Sequence, residues 1–132
     1  MKVSIEKQSD GSYIAYNTTG DKVRLIGTGD SVKEAKEDFF NSLDEVLQTY
    51  NEIGDDIPEF LNEDIEFSFD ISSLFEYYSM FNVSALGRYL GINPGLMRQY
   101  KKGDTPISDA QLEKIESGIH RLAGELASLS LV

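Results

Sequence analysis

Residues 83–103 of this 132-residue chain contain no aspartate or glutamate, yet they carry Arg88, Arg98, Lys101 and Lys102. Arginine and lysine are phosphate ligands, the first through a planar fork of donors and the second as a point charge. Asn93 and Gln99 lie in the same segment. A carboxamide carries both the donor and the acceptor needed to read a base edge in the major groove, as in the bidentate pairing of glutamine with adenine. The chain as a whole is strongly acidic, with a formal net charge of −11. An acid-free cationic segment in such a chain implies a surface that meets an anion.

Two groups of carboxylates offer a different chemistry. Asp30, Glu34, Glu37 and Asp38 cluster at the start of an expected helix, and Asp55, Asp56 and Glu59 form a second set. Paired carboxylates can hold Mg²⁺ for phosphoryl chemistry. Acids in a first helical turn, however, also complement the helix dipole, and acidic loops are ordinarily solvated. No strand-borne carboxylates converge on one end of a sheet. The expectation is therefore no catalytic residue, no metal ligand and no cofactor. The absence of cysteine excludes disulfides, a thiolate nucleophile and a cysteine-type zinc site. His120, the single histidine, lies one residue off an apolar seam and reads as a surface side chain.

The cationic residues need a scaffold, and the local signals supply one. VSALGRYL reads as a helix over residues 83–90 with Gly91 as its stop. Asn93 is a suitable N-cap for the next helix, and Pro94 sits at the first position, where a missing N–H costs nothing. Gly87 is the small residue expected where the two helices cross. Leu86, Leu90, Ile92, Met97 and Tyr100 occupy packing positions, with Leu96 beside them. That leaves Asn93, Gly95, Arg98, Gln99 and Lys102 facing outward, while Arg88, Lys101 and Lys102 are placed to grip phosphate. Gly103 closes the helix. The outline is a helix-turn-helix, whose second helix can enter the DNA major groove. Ser108 with Gln111 opens a last helix, whose Leu112, Ile115, Ile119, Leu122, Leu126 and Leu129 form a seam in steps of three and four. Its first half suits local packing and its second half dimerisation. Gly118 and Gly124 each weaken that helix by roughly 1 kcal/mol against alanine.

The front of the chain alternates. Val3 and Ile5, then Tyr13 and Ala15, predict a hairpin across Asp10-Gly11. Residues 17–21 form a second turn and 22–26 a third strand, with Gly27-Thr28-Gly29-Asp30 ending the meander. A capping box, Ser31 with Glu34, opens a helix whose apolar face runs through Val32, Ala35, Phe39, Leu43, Val46 and Tyr50 to a stop at Gly54. Residues 55–64 read as an acidic loop, and Ile65, Phe67 and Phe69 as a fourth strand. A short helix capped by Ser72 or Ser73 follows, and Phe75, Tyr77, Tyr78 and Phe81 read as core or interface. The expected architecture is α+β: an N-terminal βββαβ sheet covered by one long helix over residues 1–70, then an all-α helix-turn-helix domain over 71–132.

Leu86-Gly87, Leu90-Gly91-Ile92-Asn93-Pro94, Leu96-Met97-Arg98-Gln99-Tyr100 and Gly103 together resemble the DNA-binding domains of Cro-type and λ-repressor-type regulators. In the front half, Tyr13 and Ala15, then Gly27-Thr28-Gly29-Asp30-Ser31-Val32, Glu34 and Ala35 leading into a long helix, resemble HicB antitoxins, as do Gly54 and Ile57-Pro58. The Pro-Asp-Leu-Pro-Gly-Cys stretch of that family is absent, with a short hairpin expected over 18–25 in its place. The resemblance implies a partial ribonuclease-H-like domain that caps a small basic toxin, and a C-terminal domain that represses its own operon.

Charge divides the chain in the same sense. Residues 1–70 hold 6 Lys/Arg against 17 Asp/Glu, a net of −11, whereas 71–132 hold 6 against 6. The acidic part suits a basic protein and the neutral part is free to approach DNA. The combined expectation is a cytoplasmic, homodimeric, non-enzymatic regulator. It binds double-stranded operator DNA through its back half and a small basic toxin-like protein through its front half, with no membrane association. The alternatives are a protein-interaction module without DNA binding and a ribonuclease-H-like nuclease.

Overall fold

The computed structural model describes every residue except Asp21, so the far end of the expected 17–21 turn lies outside the described residues. The chain is mixed α+β and divides into two compact units, Met1–Met80 and Phe81–Val132.

The first unit is built on β1 (Lys2–Lys7), β2 (Tyr13–Asn17), β3 (Ile26–Gly29) and β4 (Glu66–Phe69), ordered β3-β2-β1-β4. β1 pairs antiparallel with β2, and β2 with β3, but β1 and β4 run parallel. A parallel neighbour requires a crossover, which α1 (Val32–Ile53) provides together with a short 3-10 turn at Glu59–Asn62. The register sets Ile5 opposite Ala15 and Phe69, and Ala15 opposite Gly27, so these residues share one face. Val3, Ile5, Ala15, Leu25, Val32, Ala35 and Phe39 are buried in the core between that face and α1. The Ser31 hydroxyl caps α1 by accepting from the Glu34 amide at 3.1 Å, while the Glu34 carboxylate accepts from the Asp30 amide at 2.8 Å.

The third strand is displaced from expectation. Residues 22–25 are irregular and the strand is Ile26–Gly29. Asn17 explains the shift. Its buried amide nitrogen donates to the carbonyls of Thr19 and Val23 at 2.8 and 2.9 Å, and its oxygen accepts from the Leu25 amide at 2.7 Å. The carbonyls of Thr19 and Val23 and the amide of Leu25 thus find their partners in one side chain rather than in a strand ladder. Gly27 joins the sheet because α1 passes so close that a Cβ there would run into the backbone of Ala35 and Phe39.

α2 (Ile71–Tyr77) is capped by Asp70 rather than by Ser72 or Ser73. One Asp70 oxygen accepts from the Ser73 amide at 2.8 Å and the other from the Lys7 amide at 2.9 Å, so a single carboxylate closes both the helix and the end of β1. Glu76 in turn accepts from the Val32 amide at 2.9 Å. These bonds, with buried Phe75, hold α2 to the end of β1 and to the start of α1, and the units divide after Met80 rather than near Asp70. Tyr77 stacks on Phe69 with ring centroids 6.0 Å apart, and the Lys36 ammonium lies 4.4 Å from the Phe67 centroid.

The second unit holds α3 (Val83–Leu90), α4 (Pro94–Lys102) and α5 (Asp109–Ala127). Its core is Val83, Leu86, Leu90, Ile92, Met97, Tyr100 and Ile115. Gly87 is buried where α4 crosses, and a Cβ there would stand 2.8 Å from the Met97 Cγ. Gly118 is buried too, and a Cβ would run into the Leu90 side chain. The glycine that weakens α5 in isolation is therefore what lets it approach α3. Beyond it, Leu126 and Leu129 are 55% and 64% exposed. Among the described residues, no helix is long and apolar enough to cross a membrane.

Candidate nucleic-acid interface

Local chemistry sets the turn between α3 and α4. Gly91 adopts φ 74°, a left-handed conformation that favours glycine, and the Ile92 amide donates to the Gly87 carbonyl at 2.8 Å. The Lys114 ammonium donates to the Gly91 carbonyl at 3.1 Å, tying α5 to the turn. α4 then starts at Asn93, whose side-chain oxygen accepts from the Leu96 amide at 3.2 Å. That oxygen is engaged in the cap, and the Asn93 side-chain nitrogen is the group left to donate outward. Burial of Met97 and Tyr100 fixes the rotation of α4.

With that rotation, Arg88, Asn93, Arg98, Gln99, Lys101 and Lys102 are exposed. Gly95 is half-buried. A Cβ at Gly95 would stand 3.1 Å from the Asn93 side-chain oxygen and 3.5 Å from Arg98 Nη2, so its bareness makes room for the cap and the guanidinium.

Two side chains on this surface are held by neighbours that sequence reasoning missed. Arg98 Nη1 donates to the Ser84 hydroxyl at 2.8 Å, drawing the guanidinium back toward the start of α3. The Thr105 hydroxyl donates to Gln99 Oε1 at 3.1 Å. Ser84 and Thr105 lie 14 and 6 residues from their partners, and nothing in local spacing flags either pairing. Arg121 is engaged elsewhere: its Nε donates to the Tyr89 hydroxyl at 3.5 Å, and that contact raises its pKa further above the usual arginine range.

The arrangement offers cations for phosphate oxygens and an amide for a base edge, on a helix whose other side is sealed. Two of the clustered carboxylates are engaged by nearby backbone. Asp38 accepts from the Thr28 amide at 2.9 Å, and Glu34 closes the cap of α1. Among the described residues, no group of three or more His, Cys, Asp or Glu is arranged to hold a metal ion. Protein-family models, curated proteins and solved structures all yield no match to this chain.

Proposed function

We propose that α3 and α4 form a helix-turn-helix that binds double-stranded operator DNA, with α4 as the recognition helix. One observation carries the reading. α4 buries Met97 and Tyr100 and exposes Arg98, Gln99, Lys101 and Lys102, in a stretch from which every carboxylate is missing. Lys101, Lys102 and Arg88 grip phosphate, and Gln99 and Asn93 address base edges. The chain acts as a homodimer, which sets two recognition helices about 34 Å apart, one turn of DNA. The exposed Leu126 in the last turn of α5, and Leu129 just beyond that helix, support pairing of two copies. The acidic first unit docks a small basic toxin-like protein, in the manner that the likeness to HicB antitoxins implies. Function resides in docking, with no reaction catalysed.

A shift assay with the full chain and the DNA upstream of its own coding sequence tests the reading. Arg98→Ala and Lys101→Ala should each weaken binding, Arg98→Ala by roughly 1–3 kcal/mol where it pairs a base and by less where it touches only phosphate. Unchanged affinity in both variants removes α4 from the interface. The same exposed Leu126 and Leu129 also fit a module that contacts only protein. That reading predicts a wild-type chain with no measurable affinity for any duplex.

A further inference from the structure

The Thr105 contact bears on which base Gln99 selects. Resting on the reading of α4 as a recognition helix, we infer that Thr105 is a specificity-determining positioning residue: it holds the Gln99 amide so that its nitrogen faces outward, which favours guanine over the adenine a free glutamine pairs with.

A glutamine amide can turn either its oxygen or its nitrogen toward a base. The usual pairing with adenine needs both groups on the base edge at once, the oxygen accepting from N6 and the nitrogen donating to N7. In this chain the oxygen is drawn toward the loop, accepting from the Thr105 hydroxyl at 3.1 Å. The outward group is then a donor pair. Guanine presents two adjacent acceptors, N7 and O6, in the major groove, whereas adenine presents one acceptor and one donor. The donor-only face of Gln99 matches guanine.

Thr105 is well placed to impose this. Gly103 ends α4 at φ 83°, with its amide donating to the Gln99 and Tyr100 carbonyls at 3.1 and 3.0 Å, so the chain turns back beside the last turn of the helix. Pro106 follows Thr105 and disfavours the helical region there, which narrows the backbone freedom of Thr105. The hydroxyl is thus presented from a constrained backbone, whereas Gln99 is long and exposed. The rigid partner sets the orientation of the flexible one. Ser84 does the same for Arg98, but a guanidinium donates from every edge, so its choice of base does not change.

The test is selection from a random double-stranded DNA library by the full chain, run with wild type, Gln99→Ala, Thr105→Val and Thr105→Ser. Gln99→Ala marks the base pair that Gln99 reads, as the pair whose preference it loses. Wild type should require a G·C pair there, Thr105→Ser should retain that requirement, and Thr105→Val should lower the G·C over A·T preference about fivefold to tenfold, the worth of one hydrogen bond. Binding at the other pairs should be unaffected by Thr105→Val, which separates positioning from general damage. A wild-type preference for A·T at that pair overturns the inference, even if Thr105→Val does not fold. So does a Thr105→Val profile identical to wild type. Enrichment of no sequence by wild type instead sinks the DNA-binding reading itself, a distinct result.

Discussion

The Ser73 hydroxyl is buried in α2 and has no hydrogen-bond partner among the described residues. An unsatisfied buried hydroxyl forfeits its hydration without recompense. Ser73→Ala should therefore stabilise the chain by about 1 kcal/mol, seen as a higher urea midpoint at unchanged slope. A lower midpoint would mean the hydroxyl is bonded after all. Tyr13 makes a pH-dependent contribution. Burial, and secondarily the charges of Glu76 and Asp70, push its phenol pKa up. The folded state favours the neutral phenol, so its stabilisation is complete below the ordinary phenol value of about 10 and is lost as pH rises through the raised folded value. Unfolding free energy should fall across that alkaline window, and Tyr13→Phe should flatten the fall. Tyr16 keeps some slope, since its hydrogen bond to Glu6 at 2.8 Å raises its pKa in the same direction. At this scale the sequence showed residue types but not their partners. Asn17 read as a turn residue, and only folding made it the buried partner of the Thr19, Val23 and Leu25 backbone.

Helices and strands were more legible, because their signals are local. Ser31 with Glu34, Asn93 with Pro94, and Ser108 all cap helices where spacing placed them. The elements that moved are those whose boundaries depend on distant contacts. Gly27 and Gly29 read as a turn because glycine punctuates chains, yet β3 runs through both as it passes under α1. Two substitutions separate a packing glycine from a permissive one. Gly27→Ala should destabilise by about 3 kcal/mol or more, since the added methyl meets backbone that cannot move aside. Gly124→Ala, whose methyl would meet nothing within 4 Å, should stabilise α5 by about 1 kcal/mol. Thermal unfolding of both variants checks the pair. A stabilised Gly27→Ala would show that α1 does not lie against β3 as described.

Charge organises the whole molecule. The first unit carries 6 Lys/Arg and 18 Asp/Glu, a net of −12, and the second 6 and 5, a net of +1. A chain this acidic can approach DNA only through a local cationic face, so affinity should depend steeply on salt. The expected slope of log K against log salt is about −0.9 for each phosphate neutralised, and Lys101→Ala should make it shallower by about one. A salt-independent affinity would argue that α4 does not meet the phosphate backbone. The α+β class, the caps of α1, α4 and α5, the acid-free segment and the buried side of α4 follow from the sequence alone, because periodicity, capping and charge act over a few neighbouring residues. The parallel pairing of β1 with β4, the attachment of α2 to β1 through Asp70 and to α1 through Glu76, and the hold of Ser84 and Thr105 on Arg98 and Gln99 were decided only by tertiary structure. Each joins residues whose meeting depends on how the intervening chain packs, and no local pattern encodes that.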